Sequence, residues 1–121
     1  MSKRILVVED HEDNRQILRD LLKSAGYEMV EAWDGDAALR AAASEKPDLI
    51  LMDIDLPGIN GYEATRRLKA DPAMRQVPII VVTSYALSGD EQKARDAGAD
   101  DYIAKPYSPR QLLAKVRAYL K

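Results

Sequence analysis

The sequence contains no cysteine and only one histidine, His11. Without cysteine, disulfide bonds and thiolate metal sites are excluded. A single histidine excludes a zinc site built from several histidines and argues against a Ser-His-Asp triad. We interpret His11 itself as an exposed residue of a first helical turn rather than as a ligand.

Long apolar runs and a strong charge of one sign are lacking as well. No segment approaches the roughly 20 apolar residues that span a membrane, and the first four residues lead directly into a short strand-like run without a signal-peptide pattern. We therefore expect a cytoplasmic protein with no membrane partner. The formal net charge of -2 argues against nucleic acid as a partner, because phosphate backbones are bound by dense Lys and Arg surfaces.

Glycine and proline are not in excess, and the chain is 46% hydrophobic and 31% charged, which is ordinary for a globular protein. A chain of 121 residues fits one domain, so we expect a single domain over residues 1–121. No internal repeat, low-complexity tract or linker interrupts it.

Short apolar runs alternate with amphipathic segments along the whole chain. The predicted strands cover residues 5–8, 27–33, 49–52, 79–82 and 102–104. The predicted helices cover about 13–25, 34–45, 61–70, 88–97 and 109–120. A continuous run of apolar residues is typical of a strand that is buried on both faces. Strict alternation predicts a parallel sheet covered by helices on both faces, although periodicity alone does not give the order of the strands.

Polar residues stand where four of these strands end. They are Glu9 and Asp10 after the first strand, Asp53 after the third, Thr83 and Ser84 after the fourth, and Lys105, followed by Pro106, after the fifth. Ligands of open parallel sheets bind outside these carboxyl ends. If the strands lie side by side, carboxylates, a hydroxyl and an ammonium group share one crevice.

This set of groups favours phosphoryl chemistry. Clustered carboxylates repel each other, and a divalent cation with oxygen ligands relieves that repulsion. Mg²⁺ suits the set, since it uses one or two carboxylates and leaves room for phosphoryl oxygens. Lys105 and Thr83 supply a positive charge and a hydroxyl donor, and an aspartate carboxylate is an established nucleophile toward phosphorus. The pattern predicts metal-assisted phosphoryl transfer onto Asp53.

The motifs closely resemble the receiver domain of two-component response regulators, of the single-domain type without an output domain. The matching segments are ILVVED (5–10), PDLILMD (47–53), LPGING (56–61), PIIVVT (78–83) and GADDYIAKP (98–106). The resemblance implies an α/β fold of flavodoxin-like (CheY-like) type. It is a doubly wound, five-stranded parallel sheet with strand order 2-1-3-4-5 and five helices.

The resemblance also implies the chemistry of the site. Asp53 would accept a phosphoryl group from a histidine kinase or a histidine phosphotransfer protein. Mg²⁺ would be held by Asp10, Asp53 and the backbone carbonyl of Asp55, while Glu9 would act through water.

Further implied roles concern the response to phosphorylation. Thr83 and Lys105 would contact the phosphoryl group, and the Lys105–Pro106 peptide would be cis. Thr83 and Tyr102 would move as a switch, and the face of helix 4, strand 5 and helix 5 would then bind a downstream protein target. Arg15 and Leu18 of the first helix are predicted to contact the kinase.

Three alternatives remain open. A phosphatase of the haloacid dehalogenase type has an Asp-x-Asp nucleophile motif like residues 53–55, but its acid pair comes last in the chain, whereas Glu9 and Asp10 precede Asp53. A flavin-binding module needs a phosphate-binding loop after the first strand, where the acidic segment 9–13 would repel phosphate. A scaffold that is never phosphorylated would not need the complete set of acids, hydroxyl and lysine. We therefore expect a phosphoacceptor switch that assists its own phosphorylation and dephosphorylation rather than an enzyme.

Overall fold

Strands and helices alternate along residues 2–83 and 90–120, which are the residues that the computed structural model describes. The strands are β1 (Arg4–Val8), β2 (Glu28–Ala32), β3 (Leu49–Asp53), β4 (Ile79–Thr83) and β5 (Asp101–Ala104). The helices are α1 (Glu12–Ser24), α2 (Gly35–Glu45), α3 (Gly61–Ala70), α4 (Asp90–Asp96) and α5 (Pro109–Tyr119). None of the described helices is long and apolar enough to cross a membrane.

The five strands form one parallel sheet in the order β2-β1-β3-β4-β5, as the resemblance implied. Its register aligns the strand ends: Val8 pairs with Met52, Asp53 with Val82, and Thr83 with Ala104. Residues that end or follow β1, β3, β4 and β5 therefore meet along one edge of the sheet, which is where ligands of such sheets bind.

Both faces of the sheet are buried, which explains the continuous apolar runs of its central strands. Leu6 and Val8 of β1 pack toward α2, α3 and α4, whereas Ile5 and Val7 pack toward α1 and α5. Side chains alternate between the faces along a strand, so each central strand must be apolar at every position. The outer strand β2 is only half-buried over most of its length, as is usual for an edge strand.

The described helix ends lie within one or two residues of the predicted ones, and local sequence signals account for several of them. The Asp34 carboxylate accepts the backbone N–H of Ala37 at 2.7 Å, so Asp34 caps the start of α2. Gly26 and Gly98 follow α1 and α4 with φ angles of 92° and 98°, the left-handed conformation that commonly ends a helix. The predicted start of the fourth helix, Ser88, lies outside the described residues.

Candidate functional site

A buried carboxylate pair and a lysine meet at the carboxyl edge of the sheet. Asp53 ends β3 and Glu9 follows β1, and these residues are only 3% and 4% exposed. Lys105 follows β5, and its Nζ lies 3.4 Å from Asp53 Oδ2 and 3.4 Å from Glu9 Oε1. The structure thus brings together three side chains that the sequence separates by up to 96 positions.

The start of α3 packs directly against the end of β3. The N–H of Gly61 donates to the carbonyl of Ile54 at 3.1 Å, and a Cβ on Gly61 would overlap the carbonyl oxygen of Asp53. Only glycine permits this approach, so Gly61 fixes the backbone on which Asp53 stands. The N–H of Asp55 donates to Asp53 Oδ1 at 3.3 Å. In the sequence Gly61 stands out only as part of the motif LPGING, although a glycine directly after a helix-capping asparagine, Asn60, is a usable signal.

Glu9 is held in its charged form by its neighbours. Its Oε2 accepts the backbone N–H of His11 at 3.1 Å, and its Oε1 accepts from Asn14 Nδ2 at 3.3 Å. Burial alone would raise the pKa of Glu9, but the His11 N–H and the charge of Lys105 hold that pKa below its ordinary value. Glu9 therefore places a full negative charge beside Asp53.

The opposite shift affects Asp53. Burial, followed by repulsion from Glu9, raises the pKa of Asp53 to about 6, against the opposing influence of Lys105 and the Asp55 N–H. Although burial disfavours the ammonium ion, the charges of Asp53 and Glu9 raise the pKa of Lys105. The negative charge of the two carboxylates thus exceeds the single positive charge of Lys105. Such an excess is expected of a cluster that binds a cation.

Asp10 adds a further acceptor to this cluster. Its Oδ1 is buried and takes part in no hydrogen bond among the described residues, although His11 Nδ1 lies 3.0 Å away. Ligand atoms of Glu9, Asp10 and His11 lie within 4.8 Å of one another, whereas Asp53 is not part of this compact group. An unsatisfied carboxylate oxygen beside an excess of negative charge fits a divalent cation with oxygen ligands.

The remaining predicted residues occupy the strand ends as well. Thr83 is buried at the end of β4, and its backbone carbonyl accepts the N–H of Lys105 at 2.7 Å. Tyr102 lies half-buried in β5 and packs against the core on the side of α2 and α3. The Lys105–Pro106 peptide is cis, as the resemblance implied. Ser84 lies outside the described residues, and the switching role of Thr83 and Tyr102 stays a prediction.

The first helix departs from one prediction. Leu18 is 6% exposed and packs in the core, so a role for its side chain in kinase contact is wrong. Ile17 is 63% exposed and is the apolar residue that this turn of α1 presents at the surface. Arg15 is largely buried, and its Nη1 donates to the backbone carbonyl of Glu9 at 2.7 Å. Its guanidinium group supports the strand end that carries the acid pair.

The chain is similar to known signalling proteins in sequence and in fold. The polar-differentiation response regulator DivK of Brucella anthropi is 42% identical over 120 residues, which are 99% of this chain and 98% of DivK. A putative response regulator from Chloroflexus aurantiacus has a TM-score of 0.94 at 32% identity, over 99% of this chain and 98% of that one. The receiver domain of the sensor histidine kinase PA1611 from Pseudomonas aeruginosa, with a magnesium ion coordinated in its active site cleft, has a TM-score of 0.92 at 38% identity over the same shares.

A family profile gives the same assignment. The response regulator receiver domain matches residues 5–117, which include all of the sheet except Arg4 and all of α5 except its last two residues. The sequence match, the fold and the strand order agree with one another, and they do not favour the haloacid dehalogenase alternative. The chain belongs to the receiver domain family of two-component response regulators.

Proposed function

We propose that this chain is a phosphorylation-dependent switch in which Asp53 accepts a phosphoryl group from a histidine kinase or a histidine phosphotransfer protein. One observation carries the proposal: Asp53 is buried at a strand end, with Glu9 beside it and the Lys105 ammonium 3.4 Å from its Oδ2. A structural aspartate would be paired with enough positive charge to neutralise it. This one stands in a cluster whose negative charge exceeds the charge of its lysine.

The chemistry is a single displacement at phosphorus. A carboxylate oxygen of Asp53 attacks the phosphoryl group of the donor, the new O–P bond forms, and the P–N bond to the donor histidine breaks. The leaving imidazole keeps that electron pair and takes a proton from solvent. Because the pKa of Asp53 is about 6, the carboxylate is mostly ionised at neutral pH and can act as the nucleophile. Lys105 then pairs with the phosphoryl oxygens, and the Thr83 hydroxyl donates to one of them.

The acidic cluster would also hold Mg²⁺. In the family arrangement Asp10, Asp53 and the backbone carbonyl of Asp55 bind the ion, and Glu9 acts through water. When bound, the ion neutralises the repulsion among carboxylates and phosphoryl oxygens. The unsatisfied Oδ1 of Asp10 and the raised pKa of Asp53 both support such a site.

The signal would leave through the face of α4, β5 and α5. Half-buried Tyr102 lines a shallow pocket of about 360 Å³ on this face, together with Ile103, Ala104, Pro106, Gln111 and Lys115. We propose that Thr83 and Tyr102 shift together on phosphorylation and reshape this pocket for a downstream protein target. Action in the cytoplasm, without an output domain, stays a prediction.

Labelling with acetyl phosphate and Mg²⁺ tests the acceptor. The wild-type protein should gain the mass of one phosphoryl group, and Asp53→Asn should gain none. The matched control Asp13→Asn removes an exposed carboxylate from the first turn of α1 and should be labelled like the wild type. Labelling that persists in Asp53→Asn would place the acceptor elsewhere. Repeated turnover of a phosphate ester would point instead to a phosphatase.

A further inference from the structure

One ring nitrogen of His11, Nδ1, faces the carboxylates of Glu9 and Asp10. The side chain is 69% exposed, yet its Nδ1 lies 3.2 Å from Glu9 Oε2 and 3.0 Å from Asp10 Oδ1. The backbone N–H of His11 also donates to Glu9 Oε2, so this segment is folded around that oxygen. The other oxygen of Glu9 faces Lys105 and Asn14. Glu9 therefore divides its two oxygens between the lysine and the histidine.

These distances match the spacing of ligands around one octahedral ion. With metal–ligand bonds of about 2.1 Å, neighbouring ligands of an octahedron lie about 3.0 Å apart. The separations of 3.0 and 3.2 Å from Nδ1 to the two carboxylate oxygens are of this size. The Asp10 oxygen concerned is the buried one that takes part in no hydrogen bond among the described residues. At 3.2 Å the contact with Glu9 is also a hydrogen bond. One nitrogen and two oxygens thus lie within 4.8 Å of one another, close enough to bind a single ion.

We propose that His11 Nδ1 is a ligand of the divalent-ion site and makes that site prefer first-row transition ions over Mg²⁺. The inference rests on the ion site of the proposed function and extends its ligand set. Mg²⁺ favours oxygen ligands and gains little from imidazole, whereas Mn²⁺ and, more strongly, Zn²⁺ and Ni²⁺ bind imidazole nitrogen. In this arrangement Asp10 Oδ1 stays a direct ligand, and Glu9 Oε2, which acts on Mg²⁺ through water, becomes a direct ligand of the transition ion. Nε2 of His11 remains toward solvent.

The composition makes a direct test possible, because an untagged chain has one histidine and no cysteine. Calorimetric titration with Ni²⁺ and with Mg²⁺ at about pH 8, where free imidazole is neutral, compares wild type with His11→Gln. His11→Gln should weaken Ni²⁺ binding about tenfold or more and change Mg²⁺ binding less than about twofold. The retained Mg²⁺ affinity also shows that the variant is folded. The control Asp13→Asn, two residues away and exposed, should leave the ratio of the two affinities unchanged.

Pulsed electron paramagnetic resonance of bound Mn²⁺ gives a second readout. The wild-type protein should show coupling to a directly bound ¹⁴N nucleus, and His11→Gln should show none. Equal Ni²⁺ affinity in both proteins, or an absence of nitrogen coupling in the wild type, overturns the role of His11. If Mg²⁺ still binds and Asp53 is still labelled in that case, only the inference fails. If no divalent ion binds and Asp53 is not labelled, the proposed function fails with it.

Discussion

Two lysine–carboxylate clusters lie at opposite ends of the same sheet and are built differently. At the amino ends of β4 and β5, Lys69 Nζ donates to Asp100 Oδ2 at 2.7 Å and to the carbonyl oxygens of Arg75 and Val77 at 3.0 and 2.9 Å. The same Asp100 oxygen accepts the N–H of Ile79 at 2.9 Å. One cation meets one anion here, and the three protons of the ammonium group each have an acceptor.

At the carboxyl ends the lysine is shared. Lys105 lies 3.4 Å from each of two carboxylates, and Asp10 adds a third acid nearby. The Lys69 cluster is neutral and closed, so it joins the end of α3 to the loops before β4 and β5. The Lys105 cluster keeps excess negative charge, which costs stability and leaves affinity for a cation. The contrast separates a structural ion pair from the cluster that we propose to bind a cation, and each of the following variants tests it.

The largest effect is expected in the closed cluster. Lys69→Met should lower the free energy of unfolding by about 2 kcal/mol, because Asp100 and two backbone carbonyls lose a donor whose own side chain is only 14% exposed. Urea unfolding measures the change, and Lys3→Met, at an exposed position, should change it by less than about 0.5 kcal/mol. The affinity for Mg²⁺ should not change. An unaltered stability would mean that the Lys69 cluster contributes nothing to the fold.

A smaller effect of opposite sign is expected in the open cluster. Asp53→Asn should raise the free energy of unfolding by about 1–2 kcal/mol at pH 8 without Mg²⁺, since it removes a buried charge that Glu9 repels. The folded pKa of about 6 exceeds the ordinary 3.8, so the folded state binds the proton first. The decrease in the free energy of unfolding that ionised Asp53 causes is therefore fully present above about pH 6, and it becomes smaller as the pH falls toward 4.

The pH dependence provides the check on this variant. The difference in stability between Asp53→Asn and wild type should shrink between pH 6 and pH 4.5. Glu9 affects stability in the opposite direction, because its pKa is lower in the folded state than the ordinary 4.5. Ionised Glu9 therefore stabilises the fold, and this contribution is lost when Glu9 is protonated below about pH 4.5. Saturating Mg²⁺ should also shrink the difference, by stabilising the wild type. A difference that is constant with pH would show that Asp53 is not the group with the raised pKa.

The sequence allowed the open cluster to be predicted but not the closed one. Glu9, Asp53 and Lys105 each follow an apolar strand, and parallel strands end at one edge, so topology alone brings them together. Lys69 and Asp100 carry no such signal, since they meet only through the packing of a helix end against a loop 31 positions later. Strand ends are defined by the backbone pattern, whereas such pairings depend on the three-dimensional path of the chain.

Side-chain direction accounts for the other differences. Ile17 and Leu18 are both apolar neighbours on α1, and the sequence does not show that only Leu18 reaches the core. His11 was interpreted as exposed, and it is, but the direction of its Nδ1 toward Glu9 and Asp10 depends on a rotamer that the sequence pattern does not encode. Residues with the predicted exposure can therefore still have contacts that only coordinates show.

The smallest effect is expected when Lys105, the lysine that contacts two carboxylates, is replaced. Lys105→Met should raise the affinity for Mg²⁺ about fivefold, because the ammonium ion competes with Mg²⁺ for Glu9 and Asp53. The interaction of one charge with another at this distance near a protein surface is on the order of 1 kcal/mol or more. Calorimetric titration measures it, with Lys69→Met as the control that removes the same charge from the closed cluster. A lower affinity in Lys105→Met would mean that the lysine holds the two carboxylates in position for the ion. The main role of Lys105 would then be to position Glu9 and Asp53 rather than to neutralise part of their charge.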